Sequence, residues 1–273
     1  MGFSEDINKE LIGKIVNKVV EQHKNLPINF FNANNLSHEF LYIDSSINRY
    51  IFGISDIVNL IKPGGKIRIL EVGTYFGIMG ISLSRIGYKV YVIDIPEFIS
   101  NENLQKKFKS EGIDFYPVNL KNSELPFVDK FFDLIVFCEV LEHLNFNPIP
   151  ILKEFNRILK NNGYIYMSVP NILSFSNRIN LLLGRSILDP VNDFFRQLQT
   201  NDVMITDMHW RKYTTGEIKE LFERLGFQIE KQYFLGSTDV YIDKSIKYYI
   251  KKIFFNLFPS LKGTHINIIR KKV

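Results

Sequence analysis

Two groups of residues have types and spacing that suit chemistry. The first is Glu139-Val140-Leu141-Glu142-His143. On a helical turn, positions i, i+3 and i+4 share one face, so Glu139, Glu142 and His143 are expected to point together. His209, in His209-Trp210-Arg211-Lys212-Tyr213, adds a second imidazole. Two carboxylates and two imidazoles suit a divalent cation, which would lower the pKa of an acceptor hydroxyl and orient it. Without metal, His143 or His209 is the natural general base, since imidazole takes a proton near neutral pH. His209 is the first choice, because an aromatic wall and two cations follow it. The plainer alternatives are a Glu-His pair that caps a helix, and a capping turn with a packed Trp before Thr214-Thr215-Gly216-Glu217.

The second group lies nearer the N-terminus. Ile69-Leu70-Glu71-Val72-Gly73-Thr74-Tyr75-Phe76-Gly77 puts glycines at a strand end and at the start of the following helix. A glycine there lets a ligand approach the backbone, and the amides of the next helix's first turn can meet an anionic group. Val90-Tyr91-Val92-Ile93-Asp94 ends a second strand in an acid, where a ribose diol could be held. The turn alone is equally a plain turn, and Asp94 alone a loop acid or cap; together they point to a nucleoside. The dinucleotide fingerprint G-x-G-x-x-G is absent, since Tyr75 stands where its middle glycine would be and would crowd a pyrophosphate.

These residues need a frame to position them. Apolar runs at Ile67 to Val72, Lys89 to Ile93, Phe115 to Val118, Leu134 to Cys138 and Tyr164 to Val169 alternate with helical stretches near Gly77 to Ile86, Glu97 to Glu111 and Ile149 to Leu159. That alternation predicts a parallel sheet with helices on both faces. Before it, residues 4 to 62 read as helices, with Leu26 to Ser46 as loop and cap, and Pro63-Gly64-Gly65 as the stop. After it, Asn171 to Arg211 lacks a clear strand and is expected to be an acceptor-side insertion. Thr215 to Leu225 and Ile246 to Phe258 read as helices, and Gln228 to Phe234 and His265 to Ile269 as strands paired antiparallel.

Composition narrows the class. Hydrophobic residues make up 45% and charged residues 23% of 273 residues, which fits a folded globular chain and excludes a disordered one. Cys138 is the only cysteine, so no intrachain disulfide or Cys-rich zinc site can form. The start MGFSEDINKELIGKIV lacks the apolar run of a signal peptide, and no later run has membrane-spanning length. A soluble, cytoplasmic protein is expected. The net charge of +5 is concentrated at one end, because eight Lys and Arg and no acid follow from Lys244 onward. The preceding chain is net negative, so no nucleic-acid partner is expected. Ile246, Tyr249, Ile250, Ile253, Phe254 and Leu257 form an apolar helix stripe beside Lys244, Lys247, Lys251 and Lys252. A membrane-surface helix can look like this, but the favoured expectation is that the stripe packs on the sheet, so peripheral membrane contact through 244–258 is not favoured. Nothing in the sequence sets the oligomeric state.

As an ordered set, ILEVGTYFG, VYVID, NLKNSELPF, FFDLIVFCEVLEHL, RILKNNGYIYMSVPN and HWRKYTTGEIKELFERLGF resemble the class I S-adenosylmethionine-dependent methyltransferases. Within them, they resemble the group around the ubiquinone-biosynthesis O-methyltransferases and the bacterial sugar or glycan methyltransferases. The resemblance spans about Lys66 to Lys272. It implies a Rossmann-like, doubly wound and mostly parallel seven-stranded sheet with an antiparallel last strand. It further implies a helical cap over 1–62 and a methyltransferase domain over 63–273 that carries the 171–211 insertion. S-adenosyl-L-methionine is the implied cofactor, with Glu71, Gly73, Thr74, Tyr75 and Gly77 around it, Asp94 on the ribose, Asn119 and Leu120 beside the adenine, and Cys138 bordering the methionine. Asn119 departs from the Asp that is frequent at its position. The Glu139, Glu142, His143 and His209 set resembles the metal site of RNA 3′-end 2′-O-methyltransferases and of some quinone O-methyltransferases. The expected substrate is a sugar hydroxyl of a nucleotide sugar or surface polysaccharide, a choice drawn from the resemblance and from the polar insertion residues Asn177, Arg178, Arg185 and Arg196. A quinone-type or other small-molecule acceptor is the alternative, as is a non-catalytic module that only binds the cofactor.

Overall fold

Each apolar run is a strand in the computed structural model, which describes residues 7–26, 36–193, 195, 208–240, 243 and 245–273. The strands are β1 (Arg68–Val72), β2 (Lys89–Asp94), β3 (Asp114–Pro117), β4 (Phe132–Cys138), β5 (Leu159–Pro170), β6 (Phe227–Leu235) and β7 (Thr264–Lys271). They form one sheet in the order β3-β2-β1-β4-β5-β7-β6. β1 pairs parallel with β2 and β4, and β2 pairs parallel with β3. β7 runs antiparallel to both β5 and β6. This is the doubly wound, mostly parallel sheet with an antiparallel last strand that the sequence implies. Ile69, Leu70, Val90, Val92, Leu134 and Ile135 are all fully buried, as strands covered on both faces require. The register sets Val72 opposite Ile93, which brings the turn after β1 level with Asp94 at the end of β2.

The chain divides into two compact units, Met1–Val136 with Ile158–Lys160, and Phe137–Arg157 with Asn161–Val273. In the first, α1 (Lys9–Lys24) starts where the Asn8 side chain accepts from the Leu11 amide, and it packs on α2 (Leu36–Leu60) and α3 (Ile78–Ile86). Residues 36 to 46, expected as loop, belong to α2. The Asp44-Ser45-Ser46 cluster does not break the helix: Ser45 donates back to the Tyr42 carbonyl and the buried Ser46 accepts from Arg49. The helix expected over 97–111 is two, α4 (Pro96–Ile99) and α5 (Glu102–Ser110), because the Asn101 side chain caps the second.

In the second unit, α6 (Ile149–Ile158) runs into β5, and α7 (Phe175–Leu182) follows that strand. Arg196 and Lys244 lie outside the described residues. α8 (Thr215–Glu223) carries a full capping box between Thr214 and Glu217. α9 (Ser237–Val240) leads to α10 (Ile246–Leu257). Here the structure corrects an expectation. The apolar stripe of α10 does not pack on the sheet: Ile246, Tyr249, Ile250, Ile253 and Leu257 are exposed, and Tyr248 is the one buried residue of the helix. Two rings of the helix, Phe254 and Phe255, rest against Phe175 of α7.

Candidate active site

The turn after β1 is left-handed at three of five positions, with φ of 73° at Gly73, 47° at Tyr75 and 74° at Gly77. Glycine adopts this conformation freely; a tyrosine does so at a cost of roughly 1–2 kcal/mol. Tyr75 thus adopts a backbone conformation that favours glycine, and its ring is placed in an aromatic cluster with Phe76 at 4.0 Å and Phe98 at 4.9 Å. Gly77 has a second reason to be glycine, since a Cβ there would come 2.4 Å from the Phe108 ring. It caps α3 with no side-chain acceptor of its own.

Two buried acids brace this turn. Asp94 accepts from the Tyr75 amide at 2.7 Å and from the Ile95 amide at 2.7 Å. Burial nevertheless pushes its carboxyl up to about 6. Each carboxylate oxygen retains a further lone pair, which is what a vicinal diol requires. Glu71 accepts from the Thr74 hydroxyl at 2.7 Å, and Gly80 leaves room for it, because a Cβ on Gly80 would sit 2.5 Å from the Glu71 oxygen. Burial pushes Glu71 up to about 8, against the hydrogen bond from Thr74, and nearby Asp94 adds to the rise. Glu71 thus shapes the turn from beneath. At the end of β3, Asn119 is half-buried, its side chain accepting from the Lys121 amide, and Leu120 is buried. A cationic nucleoside with a diol fits this donor and acceptor set.

The N-terminal helices add aromatic residues that the motifs do not announce. Tyr42 of α2 meets the Tyr75 ring at 5.9 Å. Burial raises the Tyr50 phenol, and its charge neighbours include Tyr42, Glu71 and Tyr75. Nothing in the local sequence marks these residues, since their role depends on α2 continuing past the Asp-Ser-Ser cluster.

In the second unit, Cys138 ends β4 with its sulfur 3.9 Å from the Tyr166 carbonyl. The expected helical face at 139–143 is not formed as drawn from the spacing. Glu139 adopts a left-handed φ of 54°, and only Leu141–His143 form a single 3-10 turn. Glu139 leaves the set: its amide donates to the Ser168 carbonyl, and its carboxylate accepts from the Ser168 hydroxyl at 2.7 Å. Glu142, His143 and His209 do come together, with one ligand atom of each lying within 4.8 Å of the others. Ligands of one ion held at about 2.1 Å lie roughly 3–4.2 Å apart, so small side-chain rotations would close the set on a cation.

The proton positions follow from the partners. His143 Nδ1 lies 2.9 Å from the Met208 carbonyl, which can only accept, so Nδ1 carries the hydrogen and Nε2 is the basic nitrogen. The two imidazoles are 4.8 Å apart, centroid to centroid. The His209 amide donates to Asp189 at 2.6 Å, and burial lowers the pKa of its ring. Glu142 is completely buried, and its carbonyl accepts from the Trp210 amide at 2.8 Å, so the turn and the His209 segment are bonded directly.

The cations of that segment are spent on structure. Arg211 pairs with Glu217 at 2.8 Å, and Lys212 donates to the Ile187 carbonyl at 2.9 Å. One residue that positions this segment has no motif in the sequence. His265, fully buried in β7, donates from Nε2 to the Tyr213 carbonyl at 3.2 Å and accepts from the Asn267 amide at 3.0 Å. Gln232 donates to Asn267 at 2.8 Å and to the Thr215 carbonyl at 2.9 Å. Burial lowers the His265 pKa, so this neutral network anchors the strand-like segment that leads from His209 to α8. The only sequence signal was polar residues inside an apolar strand.

The sheet order and strand directions define a Rossmann-like α/β protein. The chain belongs to the methyltransferase domain family, whose model matches residues 44–232. Membership of that family implies S-adenosylmethionine as the cofactor. It is 31% identical over 108 residues to a "probable S-adenosylmethionine-dependent methyltransferase" of Mycolicibacterium smegmatis, covering 40% of this chain and 33% of that protein. It is 29% identical over 105 residues to the ubiquinone biosynthesis O-methyltransferase of Xanthomonas oryzae pv. oryzae, covering 38% of this chain and 43% of that protein. The chain thus matches less than half the length of these two curated relatives. Among solved structures, a S-adenosylmethionine-dependent methyltransferase from Methanosarcina mazei superposes with a TM-score of 0.54 at 20% identity, covering 80% and 97% of the two chains. The [4+2]-cyclase SpnF superposes with a TM-score of 0.57 at 15% identity, covering 97% and 95%. Both likenesses are of fold, which does not by itself fix chemistry.

Proposed function

We propose that the protein transfers a methyl group from S-adenosylmethionine to an acceptor hydroxyl. The observation that carries this is the Asp94 carboxylate at the end of β2, hydrogen-bonded to the turn that follows β1. When bound, the cofactor supplies an activated methyl group on a cationic sulfonium. Asp94 would hold the ribose, the Gly73 to Gly77 backbone the methionine end, and Asn119 and Leu120 the adenine, with Cys138 bordering the methionine. Alignment of acceptor with donor is the main source of rate, and proton removal by a positioned base contributes roughly 10²- to 10⁴-fold. His143 and His209 are the candidate bases. Glu142, His143 and His209 would hold a divalent cation, if one is used, and it would lower the hydroxyl's pKa.

For the acceptor, a phenolic or quinone-type small molecule is favoured over a sugar. Asn177 and Arg178, on which a sugar acceptor was expected to lean, donate instead to the Ile172 and Leu173 carbonyls of their own loop. The helix that carries them exposes Phe175, Ile179 and Leu182. The name of the Xanthomonas relative points the same way. A sugar hydroxyl stays the second reading, supported by Arg185 in the same insertion. Calorimetry with S-adenosylhomocysteine tests the cofactor, and labelled donor offered with a panel of phenols, quinols, nucleotide sugars and polysaccharides tests the acceptor. Donor binding with no turnover on any member would leave a cofactor-binding module and refute the enzyme.

A further inference from the structure

α10 is amphipathic with its apolar side outward. Ile246, Tyr249, Ile250, Ile253 and Leu257 follow the i, i+3, i+4, i+7, i+11 pattern of one helix face, and the four aliphatic residues are 62–79% exposed. Tyr248 is the one buried residue of the helix, and its hydroxyl donates to the Thr238 carbonyl. α7 buries none of its residues and adds Ile179 and Leu182 outward, the latter 82% exposed. Because Phe175 of α7 lies against Phe254 and Phe255 of α10, the two helices are contiguous. Soluble proteins rarely leave an apolar patch of this kind to water unless it docks on something.

Charge selects the occupant. Residues 175–188 contain Arg178 and Arg185 and no acid; residues 245–273 contain no acid at all, and Lys247, Lys251 and Lys252 are exposed on α10 itself. A second copy docking through the same face would set lysine against lysine, since a two-fold interface places a patch on itself. An anionic bilayer complements both features, with apolar side chains entering the acyl boundary and lysines meeting headgroups. Among the described residues no helix is long and apolar enough to cross a membrane. The twelve residues of α10, about 18 Å long, would therefore lie in the plane.

We propose that the α7–α10 face seats this protein on an anionic membrane surface. The proposal stands apart from the methyl-transfer chemistry, and its test does not use activity. The full chain is sedimented with vesicles of phosphatidylcholine alone and of phosphatidylcholine with three parts in ten phosphatidylglycerol. Binding is expected to be at least ~10-fold stronger to the anionic vesicles, since each lysine near such a surface contributes on the order of fivefold. It should weaken in high salt. The Ile250→Asp/Ile253→Asp variant should lose at least ~10-fold of that binding, and Lys247→Glu/Lys251→Glu should lose a similar factor. Both should keep the wild-type melting temperature and calorimetric binding of S-adenosylhomocysteine. Equal binding to both vesicle types would overturn the anionic assignment, and undiminished binding by the Ile250→Asp/Ile253→Asp variant would overturn the face. Wild-type protein that stays unbound, together with a dimer in sedimentation velocity that this variant converts to monomer, would make the face a self-interface and refute the proposal.

Discussion

The Asp94 carboxylate accepts a 2.7 Å hydrogen bond from the backbone amide of Tyr75, nineteen residues before it. The acid that would hold a ribose is therefore also the clamp that holds a left-handed, non-glycine turn in place. Binding and turn geometry are linked through one side chain.

Removing that clamp should cost both functions. Asp94→Ala is expected to weaken S-adenosylhomocysteine binding by at least ~10-fold, in line with about 1.5–3 kcal/mol for hydrogen bonds to a charged group. It should also lower the melting temperature, because the Tyr75 and Ile95 amides lose their acceptor. In the wild type, affinity should fall as the pH drops below about 6, where the carboxyl takes up a proton and loses acceptor capacity. Calorimetry from pH 5 to 8 reads this; a flat profile, or a variant that binds normally, would remove Asp94 from the site.

Glu71 predicts a stability that depends on pH. Its folded pKa of about 8 lies above its ordinary value of 4.5, so the folded state holds the proton more tightly than the unfolded one. The stabilisation is complete below about 4.5 and is lost as the pH rises through 8. The cofactor-free protein should thus melt at a lower temperature at pH 9 than at pH 6.5, with a slope of at most about 1.4 kcal/mol per pH unit. Glu71→Gln keeps the size and an acceptor for Thr74 without the titration. Thermal melts of the two proteins over this range should diverge, and parallel curves would show that Glu71 is not the source.

Much of this was legible in the sequence for a simple reason. Strands buried on both faces read as apolar runs, so β1 to β4, the turn and Asp94 follow directly from residues 67–138. The short-range geometry of 139–143 did not follow. Spacing assigns Glu139, Glu142 and His143 to one helical face, but Glu139 enters the left-handed region and the chain closes into a 3-10 turn, which sends its carboxylate to Ser168. Burial was harder still. The period of α10 is that of a helix whether its stripe faces a sheet or water, and His265 looked like one polar residue in an apolar strand until its partners Tyr213 and Asn267 were known. Periodicity reports a face; it carries no information on what lies opposite.

Tyr75 separates strain from packing. With φ at 47° it bears the left-handed cost, yet its ring gains edge contacts with Phe76 and Phe98. Such pairs contribute roughly 0.5–1.5 kcal/mol each. Tyr75→Ala loses the contacts and keeps the strain; Tyr75→Gly loses the contacts and relieves it. Both variants should be less stable than or close to the wild type, with the glycine variant more stable than the alanine variant by about 1 kcal/mol. Urea unfolding of the three proteins measures the difference. An alanine variant as stable as the glycine variant would mean that the turn relaxes out of the left-handed region.

The two imidazoles should separate chemistry from donor binding. His143 is held as the Nδ1–H tautomer by the Met208 carbonyl, and the lowered pKa of His209 keeps it unprotonated below the usual histidine range. Once an acceptor is found, whichever of His209→Ala and His143→Ala removes the base should lower kcat by roughly 10²- to 10⁴-fold. Affinity for S-adenosylhomocysteine should stay within about twofold, since neither residue belongs to the turn or to Asp94. With His209 as the base, the acid limb of the kcat/KM profile should lie below pH 6.5 in the wild type and move or vanish in His209→Ala. If the pair acts through a cation instead, a chelator should reproduce the loss in wild type, added Mn²⁺ should restore it, and Glu142→Gln should behave like the histidine variants. Histidine variants with unaltered kcat would exclude both roles and leave the cluster as a structural lock between the 141–143 turn and the segment at Trp210.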